Sequence, residues 1–307
     1  MWGDRLSIGG AANVSRGEWK KSPVKKPSSP SCAGAPLACG SSRFVLGNNG
    51  EPLDVFTYKP TAYAGGPLVV VIHGSDRDAE DHRNWAVAMA ERCRALVAAP
   101  LFDRERFDDE RYKRTGWVTK GGRPQPRDQW TFNIVVRLVA EVRGREGQPA
   151  LPYSLIGHSG GGQFAVRMAL FMADEAKRFV ACNPGSYPFP DPAVNYPYGL
   201  AGLPAEWASD AALRRFHAAP LTLYLGTGDV LRLASDYFDD SPEAMRQGPE
   251  RLARGRIFFE TSRQLAATRG WTFNWRIVET PGIAHDAKLM FEAPEVVGAL
   301  FGDGTPK

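Results

Sequence analysis

Cysteine is scarce in this chain, with four in 307 residues, at 32, 39, 93 and 182. None of them shares the short spacing of metal ligands, which excludes a zinc-ribbon or iron–sulfur reading. Histidine is also sparse, at 73, 82, 158, 217 and 285, and no His/Cys/carboxylate cluster suggests a metal centre. No apolar run approaches the roughly 18 residues that a membrane-spanning helix requires, so no membrane span is expected. Charge of one sign is missing from the body of the chain. Residues 1–40 hold six of the 38 Lys/Arg and two of the 34 Asp/Glu, which accounts for the whole formal surplus of +4. The other 267 residues are formally neutral and lack the basic footprint of a nucleic-acid binder. Two phosphate-binding signatures are absent as well. In "SLIGHSGGGQF", residues 154–164, a serine stands where a dinucleotide fingerprint needs glycine, and no Gly-Lys-Ser/Thr closes a P-loop.

What is present divides in two. Residues 1–41 are rich in Pro, Ser, Gly and Lys and without apolar pattern, as a disordered or loosely packed leader would be. They contain no apolar stretch of about 7–15 residues to act as a secretory signal. Cys32 and Cys39 would close a small disulfide loop in an exported protein and stay thiols otherwise, so compartment is left open.

From residue 42 to 307 the sequence alternates strand and helix. "RFVLG" and "LDVFTYKP" read as two antiparallel strands around the turn "NNGE". "GPLVVVIHG", "LVAAPLF", "LPYSLIG", "RFVAC", "LTLYLG" and "NWRIVE" follow, several of them continuous apolar runs of the kind buried on both faces. Between them lie stretches with helical spacing, such as Trp130, Ile134, Leu138 and Val142, and the segments 82–95, 163–176 and 256–269. The expected fold is α/β, a mostly parallel sheet with helices on both faces.

The serine stretch now has a context. Gly157-x-Ser159-x-Gly161 between a buried strand and an apolar helix is the pattern of a nucleophile elbow, with Ser159 as the candidate nucleophile. The N–H of Gly160, the next residue, would face a developing oxyanion. A serine needs a base, and elimination selects one. His158 adjoins the serine in a tight turn and points away from it. His73 sits in "VIHGS", the expected second half of an oxyanion site. His82 opens a helix and reads as a solvated surface group, and His217 reads as structural. His285 remains, in "ETPGIAHDAKLM", after a strand and before a helix. Its carboxylate partner should follow a strand between serine and histidine. Asp229 in "LTLYLGTGDV" fits best, with Asp236, Asp239 and Asp240 as rivals expected to face solvent.

Taken together, "HGSDRDAEDHRNW", "GHSGGG" and "CNPGSYPFPD" resemble the poly(3-hydroxybutyrate) depolymerase and feruloyl-esterase-like group of α/β-hydrolase serine esterases. The wider superfamily pattern spans residues 42–302. The resemblance implies the α/β-hydrolase fold with a short loop-rich cap, here near 184–217. It implies Ser159, Asp229 and His285 as nucleophile, acid and base, the N–H groups of Ser75 and Gly160 as oxyanion donors, and no cofactor. The substrate would be a small or polymeric ester, and export is usual in that group. His158 stands where such depolymerases often carry a hydrophobic residue. Trp117 and Trp130 in the segment 102–130, and Tyr187 in 184–217, are candidate substrate contacts, with loop packing the alternative for each. A serine peptidase or thioesterase would use the same triad, and a non-catalytic binding shell would keep the fold alone.

Overall fold

The computed structural model describes residues 34–48, 50–119, 123–231 and 237–302. The expected leader therefore falls mostly outside the described residues. Its last part, 34–41, is described, and Leu37 there is buried and bonded through its N–H to Glu146 Oε1 at 3.1 Å.

Eight strands form one sheet: β1 Gly40–Leu46, β2 Leu53–Lys59, β3 Leu68–Ile72, β4 Leu96–Pro100, β5 Tyr153–His158, β6 Arg178–Cys182, β7 Leu221–Gly226 and β8 Arg276–Thr280. Their order is β1-β2-β4-β3-β5-β6-β7-β8. The first two pairings, β1 with β2 and β2 with β4, are antiparallel, and all the rest are parallel. Every residue of β3, β4, β5 and β7 is buried. The reason is the pleat. Alternate residues of one strand enter two different cores, Leu68, Val70 and Ile72 on one face of the sheet and Val69 and Val71 on the other.

Helices cover both faces. The short helices α1 Ala79–Trp85, α2 Val87–Cys93 and α3 Asp109–Lys113 precede the long α4, Phe132–Glu146. Next come α5 Gly160–Phe171, α6 Ala205–Ala208, α7 Asp210–Ala218, α8 Pro242–Met245, α9 Arg251–Arg269, α10 Ala287–Glu292 and α11 Glu295–Phe301. Apolar residues of α4, α5, α7 and α9 share the core of Leu68, Leu155 and Leu223. Those of α2, α10 and α11 share the core of Val69, Ile156 and Tyr224.

Two details depart from expectation. The helix expected over 82–95 is two helices, which meet at Ala86. His82 is buried, not solvated, because α1 is held between the sheet and α10. Its ring lies 4.8 Å from Trp85 and 6.0 Å from Phe291.

Candidate active site

At the end of β5 the chain turns into α5 within one residue, Ser159, whose backbone has φ 55° and ψ −111°. A non-glycine residue held there stores roughly 1–3 kcal/mol of strain, so the surroundings must enforce it. They do so through the Ser159 N–H, which donates to Cys182 O at 2.9 Å, and through Ser159 O, which accepts from Gln163 N–H at 3.0 Å. Close packing completes the constraint. A Cβ on Gly161 would fall onto the carbonyls of Ile72 and His73 at the end of β3. The glycine run thus records how tightly the elbow is pressed against the neighbouring strand.

Gly160 is the first residue of α5, so its N–H has no intrahelical acceptor. Ser75 N lies 3.3 Å from where a Gly160 Cβ would be, which brings the two expected oxyanion donors to one corner. The loop carrying Ser75 is anchored by His73. The buried His73 Nε2 accepts from Phe102 N–H at 3.0 Å, and burial pushes the ring's pKa down to about 3. His73 is therefore a neutral pin between the loops after β3 and β4.

Asp229 and His285 reach the same sheet edge from the turns after β7 and β8. Those turns are laced together: Thr227 N–H donates to Thr280 O at 3.0 Å, Gly228 N–H to Ile283 O at 2.8 Å, and Gly282 N–H to Thr227 Oγ1 at 2.8 Å. Asn183, just past β6, ties them to the serine side. Its Oδ1 accepts from Gly226 N–H at 2.8 Å, and its amide donates to Ala284 O at 3.3 Å. Within this frame His285 Nδ1 lies 2.8 Å from Asp229 Oδ2. The Asp229 carboxylate is buried, and its Oδ1 is 3.4 Å from Arg251 Nη1.

Ser159 and His285 both line a cavity of about 330 Å³. Ser75, His82, Trp85, His158 and Tyr237 contribute to its wall. His158 packs against the His285 ring at 4.6 Å. Burial drives its pKa well below the ordinary value, with His285, His82 and Arg251 adding to the effect, so it stays neutral. His217 is remote, stacked on Trp275 at 5.4 Å, with its Nδ1 2.6 Å from Leu213 O. Of the rival carboxylates, Asp239 is bonded to the Tyr198 hydroxyl at 2.6 Å and Asp240 is exposed. Asp236 lies outside the described residues.

The three expected substrate contacts are elsewhere. Tyr187 is fully buried, stacked on Phe258 at 4.7 Å and off the cavity wall. Trp117 and Trp130 line a separate cavity of about 720 Å³ with Trp207 and the end of α5. Twelve helical residues place that end about 18 Å from Ser159. Sequence reasoning did not single out Asn183, Arg251, Trp85 or Tyr237. For Asn183 there was a signal, a polar residue closing the apolar strand "RFVAC".

Among the described residues no group of three or more His, Cys, Asp or Glu could hold a metal ion, and no helix is long and apolar enough to cross a membrane. No curated protein sequence matches the chain. Solved structures do. LpqC, a poly(3-hydroxybutyrate) depolymerase from Bordetella parapertussis, is 33% identical, with a TM-score of 0.77 over 88% of this chain and 93% of its own. Poly(aspartic acid) hydrolase-1 from Sphingomonas sp. KT-1 is also 33% identical, with a TM-score of 0.76 over 83% of this chain and 96% of its own. MPT51 of Mycobacterium tuberculosis, 14% identical with a TM-score of 0.55 over 85% of this chain and 97% of its own, shares the fold alone. The sequence profile of the alpha/beta hydrolase family matches residues 69–303. Matched over most of its length, the chain belongs to the alpha/beta hydrolase family, and its activity is that of a hydrolase.

Proposed function

We propose that the chain cleaves carboxylic esters through an acyl-enzyme on Ser159, with His285 as base and Asp229 as acid. The observation that carries this reading is that His285, 2.8 Å from the buried Asp229 carboxylate, lines one cavity with a serine held in a strained elbow. His285 takes the Ser159 proton as the hydroxyl attacks the ester carbonyl. The N–H groups of Gly160 and Ser75 hold the oxyanion, and Asp229 stabilises the imidazolium. His285 then protonates the leaving alcohol, and in the second half it activates the water that releases the acid. The likeness to LpqC supports a hydroxyalkanoate polyester as the natural substrate.

Amide cleavage is the second reading, supported by the equal identity to a poly(aspartic acid) hydrolase. Labelling with a fluorophosphonate, together with turnover of matched 4-nitrophenyl esters, thioesters and anilides, tests both. Covalent labelling lost in Ser159→Ala, with turnover reduced about 10³-fold or more, is expected. Labelling that survives the substitution would refute the serine mechanism, and faster anilide than ester turnover would favour the second reading.

A further inference from the structure

We infer that Arg251 is a positioning residue that sets the low-pH edge of catalysis through Asp229; this rests on the triad reading above. Arg251 opens helix α9, and its side chain is buried. A cation in the first turn opposes the helix dipole, and a buried guanidinium needs a partner. One partner is the carboxylate that holds His285, at 3.4 Å. The same turn grips the backbone of that residue, since Leu252 N–H donates to Asp229 O at 3.3 Å. Asp229 is thus clamped at three points: His285 on Oδ2, Arg251 on Oδ1 and α9 on its carbonyl.

The neighbouring groups leave this role to Arg251. Arg254 is occupied by the carbonyls of Gly248, Gly185 and Asp239. Burial, with the charge of Asp229 adding to it, raises the Tyr187 phenol and the Cys182 thiol well above their ordinary values, so both stay neutral. His158, against His285, is neutral as well. Towards the cavity His285 faces Asp76, Asp286 and Lys288, which are exposed and screened, and the Asp78–His82 pair, whose half-buried carboxylate lies 3.1 Å from the buried His82 Nδ1. Arg251 therefore offsets, from the buried side, part of the negative potential that Asp229 exerts on the imidazole. Without that offset the acid limb of the rate profile should lie at higher pH.

The test is kcat/KM for 4-nitrophenyl butyrate between pH 5 and 9, on the full chain, for wild type, Arg251→Gln, Arg251→Lys and Asp229→Asn. Arg251→Gln should move the acid limb up by about one pH unit, and Arg251→Lys should restore it to within about 0.3. A purely structural role would lower activity without moving the limb. The inference is overturned if the Gln profile superimposes on wild type, or if Lys is displaced as far as Gln. Should Arg251→Gln fail to fold, Arg251→Lys decides alone: a wild-type profile supports the charge role, and a tenfold or larger loss at every pH refutes it. Asp229→Asn separates the two levels. If that variant keeps wild-type turnover, the triad reading fails; if it loses turnover while the Arg251 variants keep the wild-type profile, only this inference fails.

Discussion

Acidification should destabilise this protein well before its carboxylates titrate. His73 and His158 are buried and neutral, with pKa values pushed down by burial, to about 3 for His73 and well below 6.5 for His158. In the unfolded chain both regain a pKa near 6.5. Below that pH the unfolded state binds more protons than the folded one, so stability is full above 6.5 and falls as the pH drops towards the folded values. Each histidine then removes on the order of 1 kcal/mol between pH 7.5 and 5.5, and the pair a few kcal/mol together. His217 is shifted in the same direction by burial and adds to the loss. Carboxylates held below their ordinary values by hydrogen bonds, such as Asp239 and Glu279, lose their contribution only under more acid conditions. Urea unfolding at pH 7.5, 6.5 and 5.5 measures the effect. A free energy of unfolding that stays constant across this window would refute the reasoning.

Three further outcomes follow from particular contacts. Gly161→Ala should abolish soluble folded protein or lower its melting temperature sharply, because the new Cβ meets the Ile72 and His73 carbonyls; a melting temperature within a few degrees of wild type would contradict the packing. Ser159→Gly should be more stable than Ser159→Ala by about 1 kcal/mol in urea, since only glycine adopts the elbow's φ of 55° without strain, and equal stabilities would argue against a strained elbow. Tyr187→Ala should cost about 3–5 kcal/mol of stability by emptying a buried site against Phe258, with the ranking of acyl chain lengths unchanged; an altered ranking at undiminished stability would return Tyr187 to the substrate.

The parts of the molecule legible in the sequence were those written in local pattern. The strands β3, β4, β5 and β7 are apolar throughout because both faces are covered, and that leaves an unbroken hydrophobic run. The elbow was legible because backbone contacts leave no room for a side chain at 157, 161 and 162, so the tertiary constraint is spelled in the local sequence. The resemblance to polyester depolymerases reappears in the structural likeness to LpqC. What escaped depends on partners distant in the chain. His82 is buried because α10, some 200 residues later, covers α1, which no helical pattern around residue 82 encodes. Aromatic residues in loops are ambiguous for a similar reason. Tyr187, Trp117 and Trp130 carry the same composition signal whether they fill a core or line a cavity, and tertiary packing decided between them. Arg251 was overlooked because its partner sits on another strand's turn, although a cation in the first turn of a helix is itself unusual.

The order of strands also bears on how the enzyme is made. After β5, each new strand is laid beside the one just synthesised, β6 on β5, β7 on β6 and β8 on β7. The sheet can therefore extend at one edge in step with translation, with no later strand needing to enter between two earlier ones. Asp229 leaves the ribosome 70 residues after Ser159, and His285 a further 56 residues on. At about 5–20 residues per second, Ser159 precedes His285 by on the order of 6–25 s. A chain interrupted before β8 would carry the elbow but lack His285, the base of the proposed triad. On the proposed triad, hydrolytic competence arrives with the last strand and the loop that follows it.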